Sequence, residues 1–404
     1  MYRYLSIDVL RGVIMIIMAL DHVIGAVSFE HDAEVSFVNK TFAGYTSAAQ
    51  RPDVKLDGYN SDVQRWSRMA THLCAPGFQL LAGMGLAISV ARAKKNGVSG
   101  EKITSDLLTR GIVLIFADMI LMLPVFKLPV FFMVLACIGT CTLCFTVLRL
   151  LPKHVIGLVG VGIILAAPYY KGLEFINAGF PGATRSVLQM SPEYYLLNIW
   201  TQVGFGAGSL GNMYPVLPWL GLFAIGWWIG LQMLETTIEE GVLRSATRLI
   251  ASGMVLFMAG LGLRLADWRV AEGIPLSGAG LFDPGFWQFT KYPPSWVFIA
   301  LTLGVLLFLL GVFRWLLDRS DHTPLWAAFI TVYGRTALFY FIVHFYVAGL
   351  IALYLEKYHG LTLFHRMSFG QAYLVWLSVL LLMWVLCFGY DKLRQRYRTV
   401  LRYF

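Results

Sequence analysis

The apolar stretch SIDVLRGVIMIIMALDH, residues 6 to 22, carries Asp8 and Arg11 at one end and Asp21 beside His22 at the other. Two more histidines lie in stretches of the same kind, His72 in THLCAPGFQLLAGMG and His344 in YGRTALFYFIVH. A neutral imidazole can take up or pass on a proton, or act as a nucleophile. Removal from water favours the neutral ring that either role requires. Buried ionisable groups of this kind are expensive in a lipid-facing helix, about 2.5–3.5 kcal/mol for an acid or base at its centre, so they usually face a protein interior and often mark function.

At 100° per residue, Asp8, Arg11, Met15, Met18 and His22 fall on one face of a helix, with Asp21 turned about 100° from His22. The same geometry aligns His72, Pro76, Gln79 and Gly83 on a second helix, and Tyr333, Ala337, Tyr340 and His344 on a third. Arg11 and His22 are separated by roughly 16 Å along the axis. The first therefore belongs near one membrane boundary and the second in the opposite half, where His72 and His344 also fall. A shared cavity is the expected accommodation. Asp21 is a candidate to orient one of the rings, with a partner on another span favoured over its neighbour His22.

The elements that must position these groups follow from composition. Hydrophobic residues make up 58% of the 404 positions and charged residues 14%, which points to an all-α polytopic membrane protein, since only helices or closed barrels satisfy their backbone in hydrocarbon. Apolar length predicts ten spans, at about 6–27, 68–92, 110–126, 129–149, 154–170, 215–234, 247–266, 293–313, 327–355 and 371–390, forming a single domain over 1–404. Arg92, Lys94, Lys95, Lys102 and Arg110 cluster after the second span, and Lys392, Arg394, Arg396, Arg398 and Arg402 form the tail. The excess of cytoplasmic Lys and Arg in membrane proteins then predicts that both termini are cytoplasmic and that loops 28–67, 171–214 and 267–292 lie outside. No cleavable signal peptide is expected, because the first apolar stretch runs past residue 22 without a small-residue cleavage site. A net charge of +9 is explained by span ends and anionic lipid, so no nucleic-acid partner is expected.

Other signals are weaker. Cys137, Cys141 and Cys144 share a helix face, a pattern that small residues at helix contacts explain better than a metal, and no metal is predicted. Gly226 and Gly230 in GWWIG suit close helix packing. The glycine-dense segment GFGAGSLGNMYPVLPW, 204–219, reads equally as a substrate-facing loop ending on Trp219 or as a flexible linker. Asp118 and Arg335 are intramembrane charges that need partners, and each could be the other's.

The pieces SIDVLRGVIMIIMALDH, RWSRMATHLCAPGFQLLAGMG, YPVLPWLGLFAIGWWIG, KYPPSWVFIALTLG and GRTALFYFIVHFYVAGL, in this order, resemble the membrane domain of the heparan-α-glucosaminide N-acetyltransferase family and its bacterial relatives. The resemblance implies a transmembrane acyltransferase of the bacterial inner membrane, taking an acetyl or other acyl group from cytosolic acyl-CoA to a sugar-type acceptor on the far side. It also implies a catalytic histidine, which the matching pieces supply as His22, His72 or His344. In the animal members the implicated histidine lies in the loop between the first two spans, where this chain has His31. Arg11, Arg110 and Arg335, near the expected cytoplasmic edge, could grip coenzyme A phosphates, although ordinary membrane anchoring explains Arg110 as well. Gln79, Tyr340 and Trp219 are the candidates for contacting substrate. Two other readings stay open: a proton-coupled transporter or lipid-linked sugar flippase relaying protons through the Asp and His residues, and a structural partner in an envelope complex. The sequence leaves the oligomeric state open, a homodimer included.

Overall fold

A computed structural model of the protein describes residues 4–28, 61–121, 130–170, 199–200, 204–206, 210–212, 214–236, 239–266, 284–287, 291, 294–319, 322–360 and 367–397. Its helices are α1 (Leu5–Val27), α2 (Asp62–Thr71), α3 (Cys74–Lys95), α4 (Gly100–Phe116), α5 (Val134–Leu148), α6 (Lys153–Tyr170), α7 (Val216–Glu235), α8 (Glu239–Leu265), α9 (Trp296–Leu317), α10 (Leu325–Arg335), α11 (Ala337–His359) and α12 (Phe369–Arg396). Serine caps start several of them: Ser61 accepts from the backbone of Gln64, Ser99 from Lys102, and Ser368 forms a reciprocal capping box with Gln371. The helical class read from composition holds, with one small addition. Strands β1 (Val130–Phe132), β2 (Gly204–Gly206) and β3 (Leu210–Asn212) form a sheet in the order β1-β3-β2, β1 parallel and β2 antiparallel to β3. The glycine-dense segment thus forms this hairpin and leads into α7.

Seven helices are long and apolar enough to cross a membrane among the described residues, against the ten expected. The difference lies in the stretches 110–126, 129–149 and 154–170. The first belongs to α4, which starts ten residues earlier in polar sequence and passes into a π turn at Ala117–Leu121. The second yields α5, whose 15 residues extend about 22 Å, less than the ~30 Å hydrocarbon thickness. The third is α6, whose 18 residues extend about 27 Å, also short of that thickness.

Two expected spans are also interrupted. The stretch 68–92 breaks between α2 and α3 at His72 and Leu73. Pro76, in the first turn of α3, lacks the N–H that would bond the carbonyl four residues back, and its ring crowds that position, which is His72. The stretch 327–355 breaks between α10 and α11 at Thr336, where φ is −113° and ψ is 30°. The carbonyls at the α10 end find partners outside their own helix: Gly334 O accepts from Arg11 Nη1 at 3.5 Å and Arg335 O from Arg394 Nη1 at 2.9 Å.

The chain divides into two compact units, the first made of Met1–Cys74, Ala246–Lys291 and Ala300–Phe404, the second of Ala75–Ser245 and Tyr292–Ile299. In the first, α1 packs against α2, α10, α11 and α12. Glycine sets the closeness of α1 and α10: a Cβ on Gly334 would lie 2.0 Å from the Asp8 carbonyl oxygen, and one on Gly12 2.3 Å from that of Ile330. Polar ties fix the register, with Asp318 accepting from Ser6 N at 3.0 Å and Ser6 Oγ at 2.6 Å while pairing with Arg314 at 3.3 Å. Trp376 Nε1 donates to the Ile16 carbonyl at 3.0 Å, and Ser67 Oγ meets the Tyr373 hydroxyl at 2.6 Å.

In the second unit, α4 packs on α5 and α6 on α7, while α3 meets α7 through Gly83, Gly226 and Gly230. The GWWIG glycines therefore serve helix packing, as expected. Asp118 caps α5, accepting from Met133 N at 2.9 Å and Ala136 N at 2.8 Å. Its partner is a helix N-terminus in place of the Arg335 guanidinium suggested by the sequence. Large apolar side chains such as Leu158, Val255, Leu350 and Leu381 are exposed, as hydrocarbon-facing surfaces of an integral membrane protein require.

Candidate functional site

Adjacent residues of α1 build two halves of one polar cluster inside the first unit. Asp21 points to Arg68 of α2 and forms an ion pair with it, their side chains only 14% and 10% exposed. His22, about 100° around the same helix, meets His344 of α11, with Nδ1 of His22 2.7 Å from Nε2 of His344. The ring centroids are 5.0 Å apart and the planes 21° from parallel, so with so short a nitrogen separation the imidazoles lie edge to edge and nearly coplanar. Phe345 covers His22 at 4.1 Å, and Tyr340 flanks His344 at 5.4 Å.

The hydrogen bonds fix the tautomers. His344 Nδ1 lies 2.9 Å from the Tyr340 carbonyl oxygen. A carbonyl only accepts, so Nδ1 carries the hydrogen and the neutral ring has its lone pair on Nε2. That lone pair accepts from His22 Nδ1, which places the lone pair of a neutral His22 on Nε2. Protonation of His22 at Nε2 would turn the bond between the rings into a charge-assisted one, which is stronger. Such an arrangement can serve as a base, the second imidazole orienting the first and stabilising its charged form.

Of the three histidines expected to converge, His22 and His344 touch. His72 caps α2 at the interruption beside Pro76, 2% exposed, in the same unit. Cys74, the next helical residue, is within electrostatic reach of Asp21, Arg68 and Lys291. Asp21 is engaged by Arg68, and the orienting contact to His22 comes from His344. Tyr340 is fully buried, and its hydroxyl has no hydrogen-bond partner among the described residues. Arg11 lies 3.6 Å from Asp8 and caps α10, and Arg335 is that helix's last residue. Gln79, Arg110 and Trp219 belong to the second unit. His31 lies outside the described residues.

Arg68, Phe345 and the buried Lys291 are the members of the cluster that the sequence reading missed. Arg68 reads as a flanking basic residue at a span edge, and Lys291 as part of an outer loop. The available signal was charge: Asp21 in an apolar helix demands a cation, and Arg68 is the residue that comes first in the next apolar stretch.

The family model for the catalytic region of heparan-alpha-glucosaminide N-acetyltransferase matches residues 54–264, just over half of the 404-residue chain. The chain belongs to this family. Membership makes it a relative of transmembrane acetyltransferases. A comparison with curated proteins returned no match. The matched region includes Arg68, His72, Gln79, Arg110 and Trp219, while His22, Tyr340 and His344 lie outside it.

Proposed function

We propose that the protein moves an acetyl or other acyl group from cytosolic acyl-CoA to a hydroxyl or amine of a sugar-type acceptor on the opposite side of the membrane, with His22 as the general base. The observation that carries this reading is the 2.7 Å bond between His22 and His344, locked by the Tyr340 carbonyl so that the basic lone pair lies on His22 Nε2. The acceptor oxygen or nitrogen forms the new bond to the thioester carbonyl carbon as its proton passes to His22 Nε2. The carbon–sulfur bond then breaks, and the departing thiolate takes that proton. His344 acts as the positioning residue, and Tyr340 presents a buried hydroxyl to the substrate. His72 is the alternative base, supported by its place in the matched region. Arg11 and Arg335, both in the first unit, are assigned to the phosphates of the donor by their charge.

Acyl transfer from labelled acetyl-CoA to a panel of sugars, measured for purified wild type and for His22→Ala, His72→Ala and His344→Ala, tests the assignment. Loss confined to His22 and His344 supports it, loss confined to His72 moves the base there, and undiminished transfer by all three removes it.

The two interrupted helices favour one other reading, a proton-coupled transporter or lipid-linked sugar flippase, since broken helices at buried polar sites are common in transporters. Movement of substrate across proteoliposomes with no covalent change would select it.

A further inference from the structure

In the second unit, α3 and α7 run parallel, because the contacts advance together: a Cβ on Gly226 would lie 2.1 Å from the Leu80 carbonyl oxygen and one on Gly230 2.8 Å from that of Met84. Gly83 is equally tight, its Cβ position 2.1 Å from the Phe223 carbonyl oxygen. One turn before Gly83 stands Gln79, and one turn before Phe223 stands Trp219, so both fall on the same side of this backbone contact. Each is 0% exposed. Neither amide atom of Gln79, nor the indole nitrogen of Trp219, has a hydrogen-bond partner among the described residues.

Protein interiors satisfy nearly all buried polar groups, and a buried amide with no partner among the described residues calls for a water, an ion or a ligand to explain it. The chemistry of the pair narrows the choice. Gln79 offers two donors and an acceptor, Trp219 one donor, and neither carries charge. An anionic group finds no counter-charge in this pair, and a bare hydrocarbon chain would leave the donors unused. A group with one acceptor and one donor, a secondary amide, matches it. Helices in backbone contact also suit a narrow chain better than a sugar ring.

We propose that Gln79 and Trp219 form a recognition shelf for a secondary amide of the acyl donor's pantetheine arm, an inference that rests on the acyl-CoA reading above. The arm is a thin chain with two such amides, and each must replace its bonds to water when it enters a dry interior. The amide carbonyl accepts from the Trp219 indole or the Gln79 amino group, and the amide N–H donates to the Gln79 carbonyl.

Thermal unfolding and calorimetric binding of purified full-length protein test this, with pantetheine and CoA as separate probes. Gln79→Leu removes the unbonded amide, so without ligand it should unfold at or above the wild-type temperature while binding both probes about tenfold more weakly, the weight of one good hydrogen bond. Trp219→Phe, which keeps the ring and deletes the N–H, should weaken both probes without loss of stability. A Gln79→Leu protein that is destabilised, or that together with Gln79→Met fails to fold, would show that the amide has a structural partner and overturn the proposal. If wild type binds both probes and the variants bind them equally well, the shelf alone is wrong. If wild type binds neither, the acyl-CoA reading falls first.

Discussion

Replacing His344 with Phe keeps an aromatic ring between Tyr340 and Phe345 but deletes the Nε2 lone pair that receives His22 Nδ1 at 2.7 Å. In the resting enzyme that bond joins neutral groups and contributes about 0.5–1.5 kcal/mol, and once His22 holds the substrate proton it is charge-assisted and contributes about 1.5–3 kcal/mol. Only the difference, about 1–2 kcal/mol, is specific to the transition state. At 1.36 kcal/mol per tenfold, this becomes a fall in kcat of roughly five- to thirty-fold with little change in KM. The Tyr340 carbonyl loses its side-chain donor but keeps its place in the helix, so the fold should persist. His344→Gln supplies an acceptor oxygen and should recover part of the loss. His22→Ala should fall further, by about a hundredfold or more, since the base itself is gone. Steady-state release of free CoA in the presence of acceptor, with monodispersity and thermal unfolding as controls, reads all three. A folded His344→Phe enzyme with wild-type kcat would refute the two-imidazole mechanism, and a rise in KM at constant kcat would reassign His344 to substrate binding.

Arg68→Met strands the Asp21 carboxylate in a largely dry site and should cost about 3 kcal/mol of stability. The pair Asp21→Asn with Arg68→Met should regain much of that loss, and a double variant no more stable than the single one would contradict the pairing. Pro76→Ala restores an N–H able to bond the His72 carbonyl, so the join between α2 and α3 should become continuous helix, with transfer reduced while the unfolding temperature holds or rises; unchanged activity would deny the break a role. Gly83→Val and Gly226→Val each place side-chain atoms where a backbone oxygen stands 2.1 Å from the first added carbon. Both should abolish a monodisperse preparation or lower its unfolding temperature sharply, and a neutral result at either would mean that α3 and α7 are not in backbone contact.

The meeting of His22 with His344 was legible because both sit on polar stripes at the helical period, at matching depth in apolar stretches. The break at His72 was visible in Pro76 but was overridden by continuous hydropathy across 68–92. The break at Thr336 carries no proline or positive φ. It depends on guanidinium groups of α1 and α12 taking the α10 carbonyls, a tertiary effect that local pattern does not encode. Asp118 shows the same limit, since its charge announced a need for a partner but a helix N-terminus leaves no charged residue to find. Ten apolar stretches stand against seven long apolar helices among the described residues because stretches such as 129–149 hold a regular helix only over Val134–Leu148. The pairing of Asp21 with Arg68 spans an intervening segment of 46 residues, and sequence offered Arg68 only as one of several bases at that span edge.

The bonds from Ser6 to Asp318, 312 positions apart, also set a timetable for biogenesis. Helix α1 leaves the ribosome well before α10, α11 and α12, three of the four helices against which it settles. Through most of translation it must wait in the bilayer with Asp21 and His22 lacking their mature surroundings, while the middle of the chain has its own neighbours at hand. Truncations lacking the final helices should therefore leave α1 accessible to aqueous or lipid-phase labels, and a nascent chain has reason to recruit an insertase or chaperone until its C-terminal third arrives.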